Sequence, residues 1–366
     1  MLPGTGHHAA PPMIPSPDET FPTARSAASA FLPDQEILRL LPWGSGHIHQ
    51  TFRVETNQRR FLLQRLNEHV FPDLDSVMEN LQRISTHLAS RLSQQPDGER
   101  RLLRLLTTPS QASLHRDTRG NAWRMLHFIP GTVSFDTAAD LRQIEAAARA
   151  FGEFQRQLDD LPGPPLRETI PGFHDTRRRF TRFEQVLLAD PVNRRQTCED
   201  EIRALLTLQH LTTALQDLRL PLRTVHNDTK LNNLLFDQAS QEPLCVIDWD
   251  TVMPGHVAHD FGDLVRTMTS EAAEDEPDLS RVRLLPDRLA ALQAGYLSAT
   301  QDWLAPAEVK SLRLGAETIL YEQALRFLTD HLEGDRYYPV FQPDHNLLRA
   351  RVQLTLLSQL RLLPRP

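Results

Sequence analysis

Asp228, Lys230 and Asn233 sit together in the segment Val225-His226-Asn227-Asp228-Thr229-Lys230-Leu231-Asn232-Asn233-Leu234-Leu235-Phe236. Apolar residues flank it on both sides, so its polar centre reads as a loop held at each end by a short strand. Further on, the apolar run Leu244-Cys245-Val246-Ile247 ends in Asp248-Trp249-Asp250. These residue types are the ones phosphoryl transfer from ATP needs. One carboxylate orients the attacking hydroxyl and takes its proton, a carboxylate and an amide oxygen hold Mg²⁺ against the phosphates, and a cation offsets charge on the moving group. Asp228, Asp248 with Asn233, and Lys230 fit those roles in that order.

Lysine usage sharpens the reading. Lys and Arg number 40 together, and the only lysines are Lys230 and Lys310. A chain that places arginine wherever a generic positive charge suffices, yet keeps a lysine in this loop, points to a need for a compact ammonium. Two other readings compete. The loop can be an ordinary polar turn whose Asn and Asp satisfy the backbone. Alternatively, His226, Asp228, His256, His259 and Asp260 can be assembled into a two-metal hydrolase site.

The positioning elements follow from periodicity. Of 366 residues, 40% are hydrophobic and 24% charged, as in globular chains with a sizeable core. The net charge of −7 argues against nucleic acid and anionic membranes as partners. The absence of a long apolar run or a signal-like N-terminus, and cysteine usage limited to Cys198 and Cys245, lead to the expectation of a cytoplasmic protein. Residues 1–30 read as a flexible tail. A lobe over 31–129 is expected to hold a short helix from Gln35, strands at Ile48–Glu55 and Phe61–Leu66 joined by Thr56-Asn57-Gln58-Arg59, and a helix from Pro72 to about Ser93. Three more strands follow at Leu102–Leu106, Ala112–His115 and Ala122–Ile129. Over 130–366 helical periodicity dominates, at 137–160, 173–189, 198–217, 257–269, 283–299, 306–332 and 344–361. The expectation is therefore an α+β fold of two lobes with a cleft between them. Cys245 reads as core and Cys198 as surface. Arg177-Arg178-Arg179 reads as a solvated helix face and Glu271–Asp278 as a solvated acidic loop.

The spacing His-x-Asp-x-Lys-x-x-Asn, followed by an aspartate at a strand end, resembles the catalytic loop of the protein-kinase-like superfamily. No Ala-Pro-Glu follows Asp248, which points to small-molecule kinases of the aminoglycoside phosphotransferase type. Within that group the chain most resembles the N-acetylhexosamine 1-kinase branch over roughly residues 35 to 360. Four stretches carry this: Gly44-Ser45-Gly46-His47-Ile48-His49-Gln50-Thr51-Phe52; Val77-Met78-Glu79-Asn80; Val246 through Gly255; and Arg326-Phe327-Leu328-Thr329-Asp330 with Gly334-Asp335-Arg336-Tyr337. The resemblance implies a two-lobed kinase fold and ATP with Mg²⁺ in the cleft. It implies phosphorylation of the anomeric hydroxyl of an N-acetylated hexosamine, by a monomer or homodimer. It makes Asp228 the base, Asn233 and Asp248 the metal ligands, and Arg326 and Tyr337 acceptor contacts; His226 is grouped with them on the acceptor side. Gly44 and Gly46 would cover the phosphates, and the backbone of Met125 to Gly131, which joins the lobes, would receive adenine, with His127 and Ile129 as the contacts.

Two departures stand out. The strand Phe61-Leu62-Leu63-Gln64-Arg65 lacks the lysine that in kinases joins the phosphates to a helix glutamate. Gln64 or Arg65 would replace it, with Glu79 as the helix partner, and alternation puts the two on opposite faces. A pseudokinase that only binds is the reading this gap leaves open. His49-Gln50 also stands where the sugar-kinase branch has an Asn-Asp pair, which leaves an aminoglycoside, choline or homoserine-like acceptor in play. Asp263, in Asp260-Phe261-Gly262-Asp263, is expected to brace the catalytic loop.

Overall fold

A computed structural model describes residues 17–44, 48–95 and 97–364. The chain begins with α1 (Pro17–Phe31) and runs into β1 (Ile37–Pro42), β2 (Gln50–Thr56) and β3 (Arg60–Arg65). Then come α2 (Leu74–Leu92), β4 (Leu105–Leu106), β5 (His115–Arg116) and β6 (Ala122–His127). These strands form one antiparallel sheet in the order β1-β2-β3-β6-β4, with β5 also on β6. Its hairpin turns where expected, because Thr56 Oγ1 accepts the backbone N–H groups of both Gln58 and Arg59.

Two local expectations are corrected. Residues 17–31 are a helix rather than part of a tail. Ala24, Ala27, Ala28 and Phe31 recur at helical spacing and pack on Phe61, Leu63, Trp123 and Met125 of the sheet. The segment from Gln35 is the edge strand β1, not a helix, and pairs with β2 from Ile37↔Thr56 to Pro42↔Phe52.

Helix α2 starts at Asp73, whose carboxylate accepts the Ser76 N–H at 3.1 Å. Its residues Leu74, Val77 and Met78 pack with Ala122 of the sheet. Leu81, Ile84 and Leu88 pack into the main core of the helical part. The helix thus belongs to both halves of the molecule.

The C-terminal part contains β7 (Thr132–Val133), α3 (Leu141–Leu158), α4 (Thr176–Ala189), α5 (Glu199–Thr207), β8 (Arg223–Val225), β9 (Leu234–Asp237), β10 (Pro243–Val246) and β11 (Met253–Gly255). It ends with α6 (Val257–Met268), α7 (Pro286–Thr300), α8 (Pro306–Glu333) and α9 (His345–Leu362). Two small sheets, β10-β9-β7 and β11-β8, frame the loops that carry the polar motif. Buried α8 is the central strut, and it meets α6 through glycine: a Cβ on Gly315 would stand 2.0 Å from the Ala258 carbonyl oxygen. The helix expected over 198–217 ends at Thr207 and continues as short 3-10 turns at Gln209–Thr212 and Gln216–Leu218. Cys198 is core, not surface, at 1% exposure. Among the described residues no helix is long and apolar enough to cross a membrane.

Candidate active site

The motif loop leaves β8 at Val225 and enters β9 through a 3-10 turn at Leu231–Asn233. Its backbone is held by Asp260, in the first turn of α6. Asp260 Oδ2 accepts the His226 N–H at 2.7 Å, and Oδ1 accepts the Asn227 N–H at 2.6 Å. Thr229 Oγ1 donates to the Asp260 carbonyl, and Gln155, itself held by the Tyr296 hydroxyl, donates to Oδ2. Burial raises the Asp260 pKa against the lowering effects of His226 and these donors. The brace expected from Asp263 is therefore supplied by Asp260, one helical turn earlier; Asp263 pairs with Arg266 at 2.7 Å.

His226 is fully buried and packs against the rings of Phe151 and Phe154. Its Nε2 lies 2.8 Å from the Ile247 carbonyl, and its Nδ1 accepts the Asp228 N–H at 3.3 Å. This corrects the reading of His226 as an acceptor contact: the buried ring ties the motif loop to the strand end before Asp248.

The loop brings Asp228, Lys230 and Asn233 together. Lys230 Nζ stands 3.0 Å from Asp228 Oδ1, and Asn233 Nδ2 donates to Oδ2 at 3.0 Å and to the Asp228 carbonyl at 2.8 Å. Burial alone would raise the Asp228 pKa, but the Lys230 ammonium and the His226 ring hold it below the usual carboxylate value. The ionised form of Asp228 is therefore favoured.

Asp248 adopts a left-handed backbone conformation, φ 63°, and its side chain keeps a solvent-accessible surface. Partial desolvation, with the carboxylates of Asp250 and Asp228, raises its pKa. A carboxylate crowded by like charge asks for a cation. With Asn233 Nδ2 engaged on Asp228, the amide Oδ1 is the donor atom left to a metal. This all-oxygen pair suits Mg²⁺, which takes one or two protein ligands and completes its shell with phosphates and water. The five residues of the hydrolase reading do not converge: His226 and Asp260 are bonded to backbone, whereas His256 and His259 stack toward His174, whose Nδ1 lies 2.9 Å from Glu322.

Of the residues expected to hold nucleotide, Gly44 takes φ 81°, and Gly46 lies outside the described residues. In the register of β3 against β6, Gln64 lies opposite Arg124 and Arg65 opposite Trp123. Arg65 therefore shares the α1-facing side with Phe61 and Leu63, and its Nη1 donates to Gln50. Gln64 shares the other side with Arg124, whose Nε donates to Gln64 Oε1 at 2.9 Å. Glu79 does not approach the strand; it is exposed and pairs with Arg167 at 2.9 Å. The next residue, Asn80, is buried and donates to the carbonyls of Arg167 and Val252. His127 closes β6 with its N–H on the Arg104 carbonyl, and the Ile129 carbonyl accepts from Thr132.

Arg326 and Tyr337 meet at a pocket of about 260 Å³, lined also by Arg178, Arg179, Arg182 and Tyr338. The Arg326 guanidinium stacks between Phe173 and Tyr338, at 5.8 and 5.6 Å from the ring centroids. It does not pair with Asp330, whose carboxylate accepts the N–H groups of Arg336, Tyr337 and Tyr338 and so folds the segment carrying Tyr337. Arg177 and Arg178 are exposed as expected, but Arg179 turns inward toward Glu322. Arg266 is bonded to Asp263 and Glu274. The acidic segment 271–278 is also tethered rather than free: Glu274 pairs with Arg266 and Asp275 with His345.

The family model described as "Phosphotransferase enzyme family" (APH) matches residues 39–309. Solved structures share the fold at low sequence identity. A microcompartment-associated aminopropanol kinase aligns at TM-score 0.62 and 15% identity, over 93% of this chain and 96% of its own. An aminoglycoside phosphotransferase from Alicyclobacillus acidocaldarius subsp. acidocaldarius DSM 446 aligns at 0.57 and 15%, over 97% and 98%. Choline kinase LicA from Streptococcus pneumoniae aligns at 0.56 and 13%, over 94% and 99%. The sheet followed by a helical part that these kinases share is the expected α+β architecture, and with the family match it makes the chain a member of the APH phosphotransferase family.

Proposed function

We propose that the chain transfers the γ-phosphoryl group of ATP to a hydroxyl of a small molecule, the C1 hydroxyl of an N-acetylhexosamine being the acceptor we favour. The observation that carries the reading is the Asp228 carboxylate, kept ionised between Lys230 and Asn233 beside Asp248. Asp228 accepts a hydrogen bond from the attacking hydroxyl and takes its proton as the bond to phosphorus forms. Lys230, already beside that carboxylate, offsets charge on the transferring oxygens. Asp248 and Asn233 Oδ1 would hold Mg²⁺, which neutralises phosphate charge when bound. Gly44 stands at the loop that would cover the phosphates, and the backbone around Ile129 at the place for adenine.

The acceptor preference rests on the four arginines of the C-terminal pocket. Against them stand two carboxylates, Asp330 on three backbone amides and Glu333 paired with Arg182, so the lining stays net positive. Such a lining repels polycationic aminoglycosides, choline and protonated amino alcohols. It suits a neutral ring whose hydroxyl and acetamide oxygens accept from guanidinium, with a face for Tyr337. The test is ADP release with Mg·ATP across N-acetylglucosamine, N-acetylgalactosamine, glucose, galactose, choline and aminopropanol. Turnover on an N-acetylhexosamine, with phosphorus–proton coupling at C1 of the product, is expected. Turnover confined to the cationic acceptors overturns the acceptor assignment, and nucleotide binding with no turnover on any acceptor overturns the kinase reading in favour of a binding protein.

A further inference from the structure

Two groups from the N-terminal sheet converge on one carboxylate of the C-terminal part. Arg124, on β6, places Nη1 on Asp250 Oδ1 and Nη2 on Oδ2, the latter at 2.7 Å. His49, just before β2, places Nε2 2.7 Å from the same Oδ2, while its Nδ1 accepts the Asn67 N–H. The Arg124 and Asp250 side chains are 3% and 1% exposed. Asp250 lies two positions after Asp248, in the 3-10 turn Trp249–Thr251. That turn is fixed from other sides as well: the Asp250 carbonyl accepts from Thr169, the Thr251 carbonyl from Asn227 of the catalytic loop, and the Val252 carbonyl from Asn80 of α2.

A buried ion pair adds little net stability, because both charges lose their water. A bidentate guanidinium–carboxylate pair does fix distance and plane together. The guanidinium cannot swing aside, since Gln64 holds its third edge. We infer that Arg124 is a positioning residue for phosphoryl transfer: through Asp250 it docks the N-terminal sheet on the turn that carries Asp248 and sets where that carboxylate stands relative to Asp228. The inference rests on the proposed function for the roles of Asp248 and Asp228. It also gives Gln64 a task at the strand position where kinases have lysine: Gln64 orients a cation supplied by the neighbouring strand.

The test uses the full chain with Arg124→Met/Asp250→Asn, which removes both charges while the Asn Oδ1 still accepts from His49. Arg124→Lys keeps the charge and loses the fork. In ligand-free protein, amides 247–252 should exchange at least about 10-fold faster in the double variant, with α8 amides unchanged. Calorimetric titration of ATP, with Mg²⁺ and with a chelator, should show the metal-dependent gain in affinity reduced by about 10-fold or more, and the chelator value changed by less than about 2-fold. Arg124→Lys should fall between the double variant and wild type. Unchanged exchange with an unchanged gain overturns the inference. If the double variant does not fold, Gln64→Leu, which frees one edge of the guanidinium, decides it by the same two readouts. A wild-type protein that shows no metal-dependent gain refutes the phosphotransfer reading, and this inference with it; a wild-type gain that survives in the variants refutes only the role of Arg124.

Discussion

Lys230 Nζ lies 3.0 Å from Asp228 Oδ1, two positions along the same loop. The ammonium favours the ionised carboxylate, and in the proposed reaction it would stand where charge develops on a phosphoryl group approached by a hydroxyl on Asp228. Asp228 in return raises the Lys230 pKa, so the pair remains charged through neutral pH.

Lys230→Arg should lower kcat by about 10-fold or more, because a planar fork cannot place its charge where a compact ammonium does. Steady-state ADP release checks this. Full activity would show that the loop needs only a positive charge.

Asp260→Asn should destabilise the protein by about 1–3 kcal/mol and lower kcat. The amide keeps one acceptor oxygen and sets an NH₂ against a backbone N–H that is now bonded at 2.6 or 2.7 Å. Denaturant unfolding with parallel kinetics tests it. Asp263→Asn, measured alongside, should leave these backbone contacts intact.

Asp248→Asn should abolish turnover and raise the melting temperature of the ligand-free protein. The folded-state pKa of Asp248 is raised, so the ionised form is disfavoured by folding at any pH above that value. This penalty is present at pH 7, begins to shrink as pH falls through the raised pKa, and is gone only below the ordinary carboxylate value. The stabilising difference between variant and wild type should therefore shrink on acidification, and melting curves at several pH values read it directly. A variant that melts lower than wild type at pH 7 would contradict the crowding described for this site.

Arg326→Met should raise the acceptor KM by about 10-fold or more with the ATP KM nearly unchanged, because the guanidinium lies at the C-terminal pocket and not on the nucleotide side. A change confined to the ATP KM would move the acceptor site elsewhere.

What the sequence discloses follows from where its constraints lie. The clustering of Asp228, Lys230 and Asn233 was legible because these polar residues stand at short spacing, and the flanking apolar runs announce the strands. The α+β division was legible through the change from alternating to helical periodicity after Pro130. The partners of buried charges were not. Arg124 and Asp250 meet across 126 positions and His49 and Asp250 across 201, and no local pattern marks either pairing. Asp260 rather than Asp263 holds the loop because of which helical face meets β8, a matter of helix placement. Glu79 carried the expected residue type, yet its neighbour Asn80 is the one turned inward. Helix α1 escaped because its buried face is mostly alanine, too weakly apolar to stand out among Pro, Ser and Thr.

The most direct test of the account compares wild type with Asp228→Asn, by ADP release with Mg·ATP and the acceptor that wild type turns over, with circular dichroism on both. A fall in kcat of at least about 10²-fold, the scale of losing a general base, is expected with the fold unchanged. Near-normal turnover by Asp228→Asn would contradict it and remove Asp228 from the chemistry.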